Sequence, residues 1–276
     1  MNYIRRGAGK PLLLIHGLGG NWRSWNPILD GLAKEREVIA VDLPGFGETP
    51  PLCGEVSIRT LADSVTEFLR VTSLTGVDAV GSSMGARLVL ELARRGGGTL
   101  GAVVSLDPGG FWRGWERHFF YGSIYLSIRL IRLLQPVMPQ ITGSALGRTL
   151  LFPQFSPRPW NLSPAVTLEE MRSYAASASF DELLYSLAYG EDQLGAPRGS
   201  IKSPLVIGWG RRDRVCLPGQ AERALELFPD ARLQWFENCG HFPHWDASQG
   251  ATRLILASTS GAVTAVAGAF GAEDAA

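Results

Sequence analysis

The chain has 276 residues, 45% of them hydrophobic, which is enough to bury the core of one large α/β domain carrying an insertion. Its 26 basic and 26 acidic residues cancel and are scattered, so there is no electrostatic footprint for nucleic acid or an anionic membrane, and the expected partner is a small molecule. The start MNYIRRGAGK lacks the apolar stretch of a secretory signal, the three cysteines form no CxxC pair, and the longest apolar region is broken by Arg129 and Arg132, which together predict a cytoplasmic protein without a membrane span.

In chain order, short runs rich in Val, Ile and Leu recur at 12–15, 38–41, 77–80, 102–106 and 205–209. None alternates polar with apolar, which is the pattern of strands covered by helices on both faces of a parallel sheet. Helical patterns lie between them at 22–33, 58–72, 84–95 and 220–227, the third ending in three consecutive glycines. The alternation predicts a doubly wound α/β sheet. From about 111 to 197 it stops, replaced by an aromatic, proline-broken helical stretch with a capping-box pattern at Ser179 and Glu182. Such an insert between two parallel strands sits above the strand ends, where these sheets bind ligands, and reads as a lid. The resulting division is core at 1–110, lid at 111–197, core again at 198–258 and an Ala/Gly-rich tail at 259–276.

The segment GSSMGA follows the strand VDAV and opens the helix MGARLVLELARR. A serine nucleophile needs its hydroxyl exposed at a sharp strand-to-helix turn, and the strained backbone there requires small residues two positions away on each side. Ser83 has Gly81 and Gly85 at those places, whereas Ser82 has Val80 and Met84. A bare GxSxG also fits an ordinary βα turn, but the strand before it and the helix after it favour Ser83 as nucleophile.

With these residues the chain resembles the α/β-hydrolase superfamily, in particular its lid-bearing esterases, lipases and carbon–carbon hydrolases. The resemblance rests on HGLGG, DLPGFGETP, GSSMGA, WGRRDRVCLP and GHFPHWD in that order and spacing. Two departures stand out: only one short candidate strand, at 3–6, precedes the strand leading into HGLGG, which should shorten the sheet edge, and Ser82 replaces a larger polar residue, which should reshape the pocket floor. The resemblance implies an α/β-hydrolase fold with the lid inserted before the acid-bearing strand, and a cofactor-free serine hydrolase with no metal. It also implies His241 as the base, with His244 as its rival, and Asp213 as the acid, with Asp107 as the alternative at the end of AVVSLD. His16 is expected to organise a loop, His118 to lie in the lid and Asp42 to form a turn. The backbone N–H groups of Leu18 and Met84 are implied as oxyanion donors, and Trp22, Phe111, Trp112 and His244 are expected to line the substrate pocket. The face Phe120, Ile124, Ile128, Ile131, Leu134 follows helical spacing and suits an apolar acyl group. The activity so implied is cleavage of a small apolar ester or thioester through an acyl-enzyme. Carbon–carbon cleavage on the same fold and a non-catalytic ligand-binding module are the alternatives, and the oligomeric state is left open.

Overall fold

The computed structural model describes residues 1–260, so all of the Ala/Gly-rich tail beyond Ser260 lies outside the described residues. Seven strands, β1 (Tyr3–Arg6), β2 (Pro11–Ile15), β3 (Glu37–Val41), β4 (Val77–Ser82), β5 (Leu100–Leu106), β6 (Leu205–Gly210) and β7 (Arg232–Phe236), form one sheet in the order β1-β3-β2-β4-β5-β6-β7. Only β1 is antiparallel; it pairs Tyr3 with Val41 through Arg6 with Val38 at the sheet edge. The other pairings are parallel. A single short strand therefore precedes β2, and the edge is as short as the sequence suggests.

The apolar runs follow from burial on both faces. Leu13 and Ile15 pack into one cluster, with Ile39, Val41, Ala79 and the inserted helices, while Leu12 and Leu14 point the other way, into a cluster with Val38, Ala40, Val80 and Val104. The second cluster is closed by α1 (Asn26–Ala33) and α11 (Ser248–Thr259). On the first face lie α2 (Ile58–Val71), whose Ser57 caps it through a capping box with Thr60, and α3 (Met84–Arg95). One predicted helix is split. Instead of a continuous helix over 22–33, a 3₁₀ turn at Trp22–Trp25 precedes α1, because Asn21 caps the turn through Arg23 N–H (2.7 Å) and Pro27 cannot donate to the preceding turn.

Between β5 and β6 the chain builds α4 (Trp115–Leu133), α5 (Met138–Gly143), α6 (Ala145–Leu151), α7 (Pro164–Ala176) and α8 (Phe180–Tyr189). Phe120, Ile124, Ile128 and Ile131 on α4 are buried and Leu134 is partly buried, as their spacing requires. The capping box at the start of α8 does not form. Ser179 makes no side-chain cap bond and instead packs against Gly45, where a Cβ would lie 1.9 Å from the Ser179 hydroxyl; Glu182 reaches across to accept from Val56 N–H (3.1 Å). After β6, α9 (Gln220–Leu227) leads to β7, and α10 (Pro243–Asp246) follows β7. Among the described residues no helix is long and apolar enough to cross a membrane.

Candidate active site

The turn from β4 into α3 holds Ser83 at φ +55° and ψ −112°, a conformation that non-glycine residues rarely adopt. The tightness of this elbow explains its glycines: a Cβ on Gly81 would lie 2.1 Å from the Gly85 carbonyl oxygen, and one on Gly85 would lie 2.2 Å from that of Ile15. Ser83 is partly exposed, and its neighbour Ser82 is buried with a hydroxyl that has no hydrogen-bond partner. Ser82 turns into the core because consecutive residues leaving a strand point to opposite sides. It does not line the cavity beside Ser83, so the expected change to the pocket floor does not arise there.

Three loops at the carboxyl ends of the strands then meet. The Ser83 hydroxyl lies 2.8 Å from His241 Nε2, and His241 Nδ1 lies 2.8 Å from Asp213 Oδ2. Asp213 is held from behind, its Oδ1 accepting from the N–H groups of Val215 (2.7 Å) and Cys216 (3.0 Å). With the imidazole proton on Nδ1, directed at Asp213, Nε2 is left to accept from the serine. The His241 loop has two further anchors that sequence reasoning did not find. His241 N–H donates to the Phe155 carbonyl (2.8 Å), and Gly240 N–H donates to Asp246 Oδ2 (2.7 Å). The motif GHFPHWD contains Asp246, but its partner depends on the turn of α10.

The alternative residues stand elsewhere. Asp107 is fully buried at φ +49°; its Oδ1 accepts from Gly210 N–H (2.8 Å) and its own N–H donates to the Gly208 carbonyl (2.8 Å), so it ties the end of β5 to the end of β6. Burial, then the charge of Asp213, pushes its carboxyl well above the usual range. His244 packs against the Trp25 ring at 4.8 Å, and burial followed by the nearness of His241 lowers it to about 3, so it stays neutral. His16 accepts from Leu43 N–H at Nε2 (3.0 Å), so its Nδ1 carries the proton donated to the Gly17 carbonyl (2.7 Å). Asp42 accepts from Trp22 N–H, Glu48 N–H and the Asn2 amide, as a turn-forming carboxylate does. His118 lies on α4, 3.1 Å from the Tyr189 hydroxyl.

An apolar cavity covers Ser83 and His241, with Leu18 and Met84 in its wall. Met84 is the first residue of α3, so the helix's own hydrogen-bond ladder leaves its N–H over, and the helix dipole adds positive potential there. The insert supplies much of the remaining wall: Trp112, Phe120, Ile124, Ile128, Ile131, Tyr174 and Phe180. Three of the four expected pocket residues are elsewhere. Trp22 lies over the α1 side under the Arg23 guanidinium (4.5 Å), Phe111 packs edge-on against Phe228 (6.3 Å) in the core, and His244 is occupied by Trp25. Trp112 does line the cavity, stacked on Phe120 at 4.5 Å. The space open to water inside is about 40 Å³, room for only a few molecules. Asp213, Cys216 and His241 form the one group of three ligand-bearing side chains among the described residues with donor atoms close enough (4.8 Å) to hold a metal ion. The donor set fits poorly, since burial and the flanking carboxylates push the Cys216 thiol well up and keep it protonated, and His241 and Asp213 already bond each other.

A family model described as alpha/beta hydrolase fold matches residues 10–248. An uncharacterized protein of Mycobacterium tuberculosis is 28% identical over 254 residues, covering 87% of this chain and 72% of its own length. The 2-hydroxy-6-oxo-2,4-heptadienoate hydrolase of Pseudomonas putida is 25% identical over 263 residues, 90% of this chain and 88% of that one. Among solved structures, an esterase from Exiguobacterium antarcticum superimposes with a TM-score of 0.74 at 18% identity, covering 94% of each chain, a likeness of fold.

Proposed function

Because the chain belongs to the alpha/beta hydrolase family, we propose that it is a serine hydrolase cleaving a small apolar carboxylic ester or thioester through an acyl-enzyme. The observation that carries this reading is the hydrogen-bonded chain from Ser83 through His241 to Asp213 at the floor of an apolar cavity. Ser83 Oγ attacks the carbonyl carbon while its proton passes to His241 Nε2, and Asp213 stabilises the imidazolium without taking the proton. The tetrahedral oxyanion is held by the Leu18 and Met84 N–H groups. Collapse breaks the bond to the alcohol or thiol, which leaves with the proton from His241. A water molecule then gives a proton to His241 and attacks the acyl group, releasing the acid and restoring Ser83.

The cavity bears on the substrate. Among the described residues its wall contains no Arg or Lys, so a substrate carboxylate would be buried there without a countercharge. That counts against an acidic substrate of the kind named for the P. putida relative and favours a neutral acyl chain. Helices α4 and α8 supply part of the cavity wall over Ser83, so their movement would open the site to substrate, and 111–197 serves as a lid.

The test is labelling with a fluorophosphonate and turnover of p-nitrophenyl esters by the parent, Ser83→Ala and Ser82→Ala. Labelling and turnover lost only in Ser83→Ala are the expected result. Ligand binding by a parent that neither labels nor turns over esters would instead make this a binding module.

A further inference from the structure

Helix α7 turns an unusual face inward. Glu170, Ser173, Tyr174 and Ser177 fall at i, i+3, i+4 and i+7, the spacing of one helical face, yet three of the four carry small or charged polar groups, and all face the loop that follows β2. Ser173 Oγ donates to the Gly19 carbonyl at 2.7 Å, and Ser177 Oγ lies 3.1 Å from the same oxygen and 2.7 Å from the Ser173 carbonyl, so its one proton is shared between the two carbonyls. Asn21 donates its side-chain amide to Ser173 Oγ (2.9 Å), which leaves the serine proton free to point at Gly19. Glu170 accepts from Ser24 Oγ at 2.8 and 3.0 Å. The loop is pressed against the insert as well as bonded to it: a Cβ on Gly19, at φ +81°, would lie 2.6 Å from the Phe180 ring and 2.8 Å from that of Tyr174.

These bonds reach the catalytic centre through two rigid peptide planes. The Gly19 carbonyl and the Gly20 N–H belong to one peptide unit, and that N–H donates to the Gly17 carbonyl (3.1 Å). The Gly17 carbonyl in turn shares a peptide unit with the Leu18 N–H, which must point the opposite way. His16 Nδ1 grips the Gly17 carbonyl from its other side. Gly17 lies directly against the nucleophile, where a Cβ on it would be 3.2 Å from Ser83 Cβ.

We propose that Ser173 and Ser177 of the insert are positioning residues for the oxyanion site, aiming the Leu18 N–H at Ser83 through the Gly19–Gly20 and Gly17–Leu18 peptide units. The inference rests on the proposed acyl-transfer reading of Ser83 and extends it. The insert then does more than cover the cavity, since movement of α7 away from the loop frees the peptide plane that carries one of the two oxyanion donors.

The experiment compares the parent with Ser173→Ala/Ser177→Ala, and with Ser173→Ala and Ser173→Thr singly. It measures kcat/KM for p-nitrophenyl butyrate and the inhibition constant of an alkyl trifluoromethyl ketone, whose serine adduct carries the oxyanion. A displaced donor costs less than a deleted one, so kcat/KM should fall by roughly 10- to 100-fold, with the ketone weakened by the same factor. Ser173→Thr, which keeps a hydroxyl, should recover most of the loss. The single Ser173→Ala variant provides the same comparison where the double variant folds poorly. Unchanged kcat/KM in the alanine variants overturns the inference and leaves the hydrolase reading standing, as does a fall in kcat/KM with ketone binding unchanged. A parent that hydrolyses no ester and binds no ketone overturns both.

Discussion

Asp107 and Asp213 are neighbouring buried carboxyl groups at the ends of adjacent loops, and Asp213 alone reaches the imidazole, at 2.8 Å from His241 Nδ1. Two carboxylates so close in a dry site do not both ionise. Asp213 accepts from two backbone N–H groups and meets the imidazole, whereas Asp107 accepts from one N–H, and burial raises the Asp107 carboxyl well above the usual range. Asp107→Asn, which replaces a neutral carboxyl with a neutral amide of the same shape, should therefore keep kcat within a few-fold of the parent. Asp213→Asn should lower it by ~10³-fold or more, because the amide favours the wrong tautomer of His241. Steady-state turnover of a p-nitrophenyl ester by both variants checks the pair, and equal losses would contradict the assignment.

The elbow predicts a steric effect on stability. Gly85→Ala places a methyl 2.2 Å from the Ile15 carbonyl oxygen and 2.5 Å from that of His16, both backbone atoms that cannot step aside without moving β2. The expected cost is about 1–3 kcal/mol, read as a lowered thermal midpoint, together with loss of turnover as the Ser83 loop shifts. A variant with the parent's midpoint and activity would show that the elbow is looser than described.

Glu170 predicts a pH effect. Burial is the main cause that raises its carboxyl from the ordinary 4.5 to about 7, with the neighbouring Glu169 charge adding to it and the Ser24 and Tyr174 hydroxyls opposing it. Between those values the folded state holds a proton that the unfolded state has released, so this group's contribution to stability declines as pH rises from about 4.5 to 7 and is level above. Glu170→Gln removes that dependence. Relative to the parent, the variant should gain stability steadily across this window, by up to about 3 kcal/mol at pH 8. Urea unfolding of both proteins at pH 5 and pH 8 measures the difference, and taking it between the two proteins cancels the opposite slope contributed by neutral His244. A constant difference at the two pH values would mean that Glu170 titrates normally.

The cavity predicts chain-length selectivity. Ile128 lies in the middle of the α4 face and lines the cavity. Ile128→Ala should shift preference among p-nitrophenyl esters toward longer acyl chains, by roughly 10-fold in relative kcat/KM, since the space of three side-chain carbons is gained, and should cost ~2–4 kcal/mol in stability. An unaltered length profile would place the acyl group elsewhere.

The features legible in the chain by itself are those whose cause is local. Burial on both faces makes β2 and β4 apolar without alternation, and the clash that a Cβ would cause at Gly81 or Gly85 arises within a few residues of Ser83, so strand, elbow and helix are all written in one short stretch. The helical face of α4 is legible for the same reason, because Phe120, Ile124, Ile128 and Ile131 repeat with the helix itself. What only the tertiary structure decided depends on partners far apart in the chain. Asp107 and Asp213 both lie in loops that follow strands, and the choice between them was made by the direction of the loop after β6, which brings Asp213 to a histidine 28 residues away. Trp22 and Phe111 are large aromatics near the site, yet the Asn21 cap turns one to the far face and the core around Phe228 takes the other. The polar face of α7 stood in plain view at Glu170, Ser173 and Ser177, but a hydroxyl that meets a carbonyl 154 or 158 positions earlier has no local signature. Periodicity encodes which side of an element is buried; only the packed fold determines what lies against it.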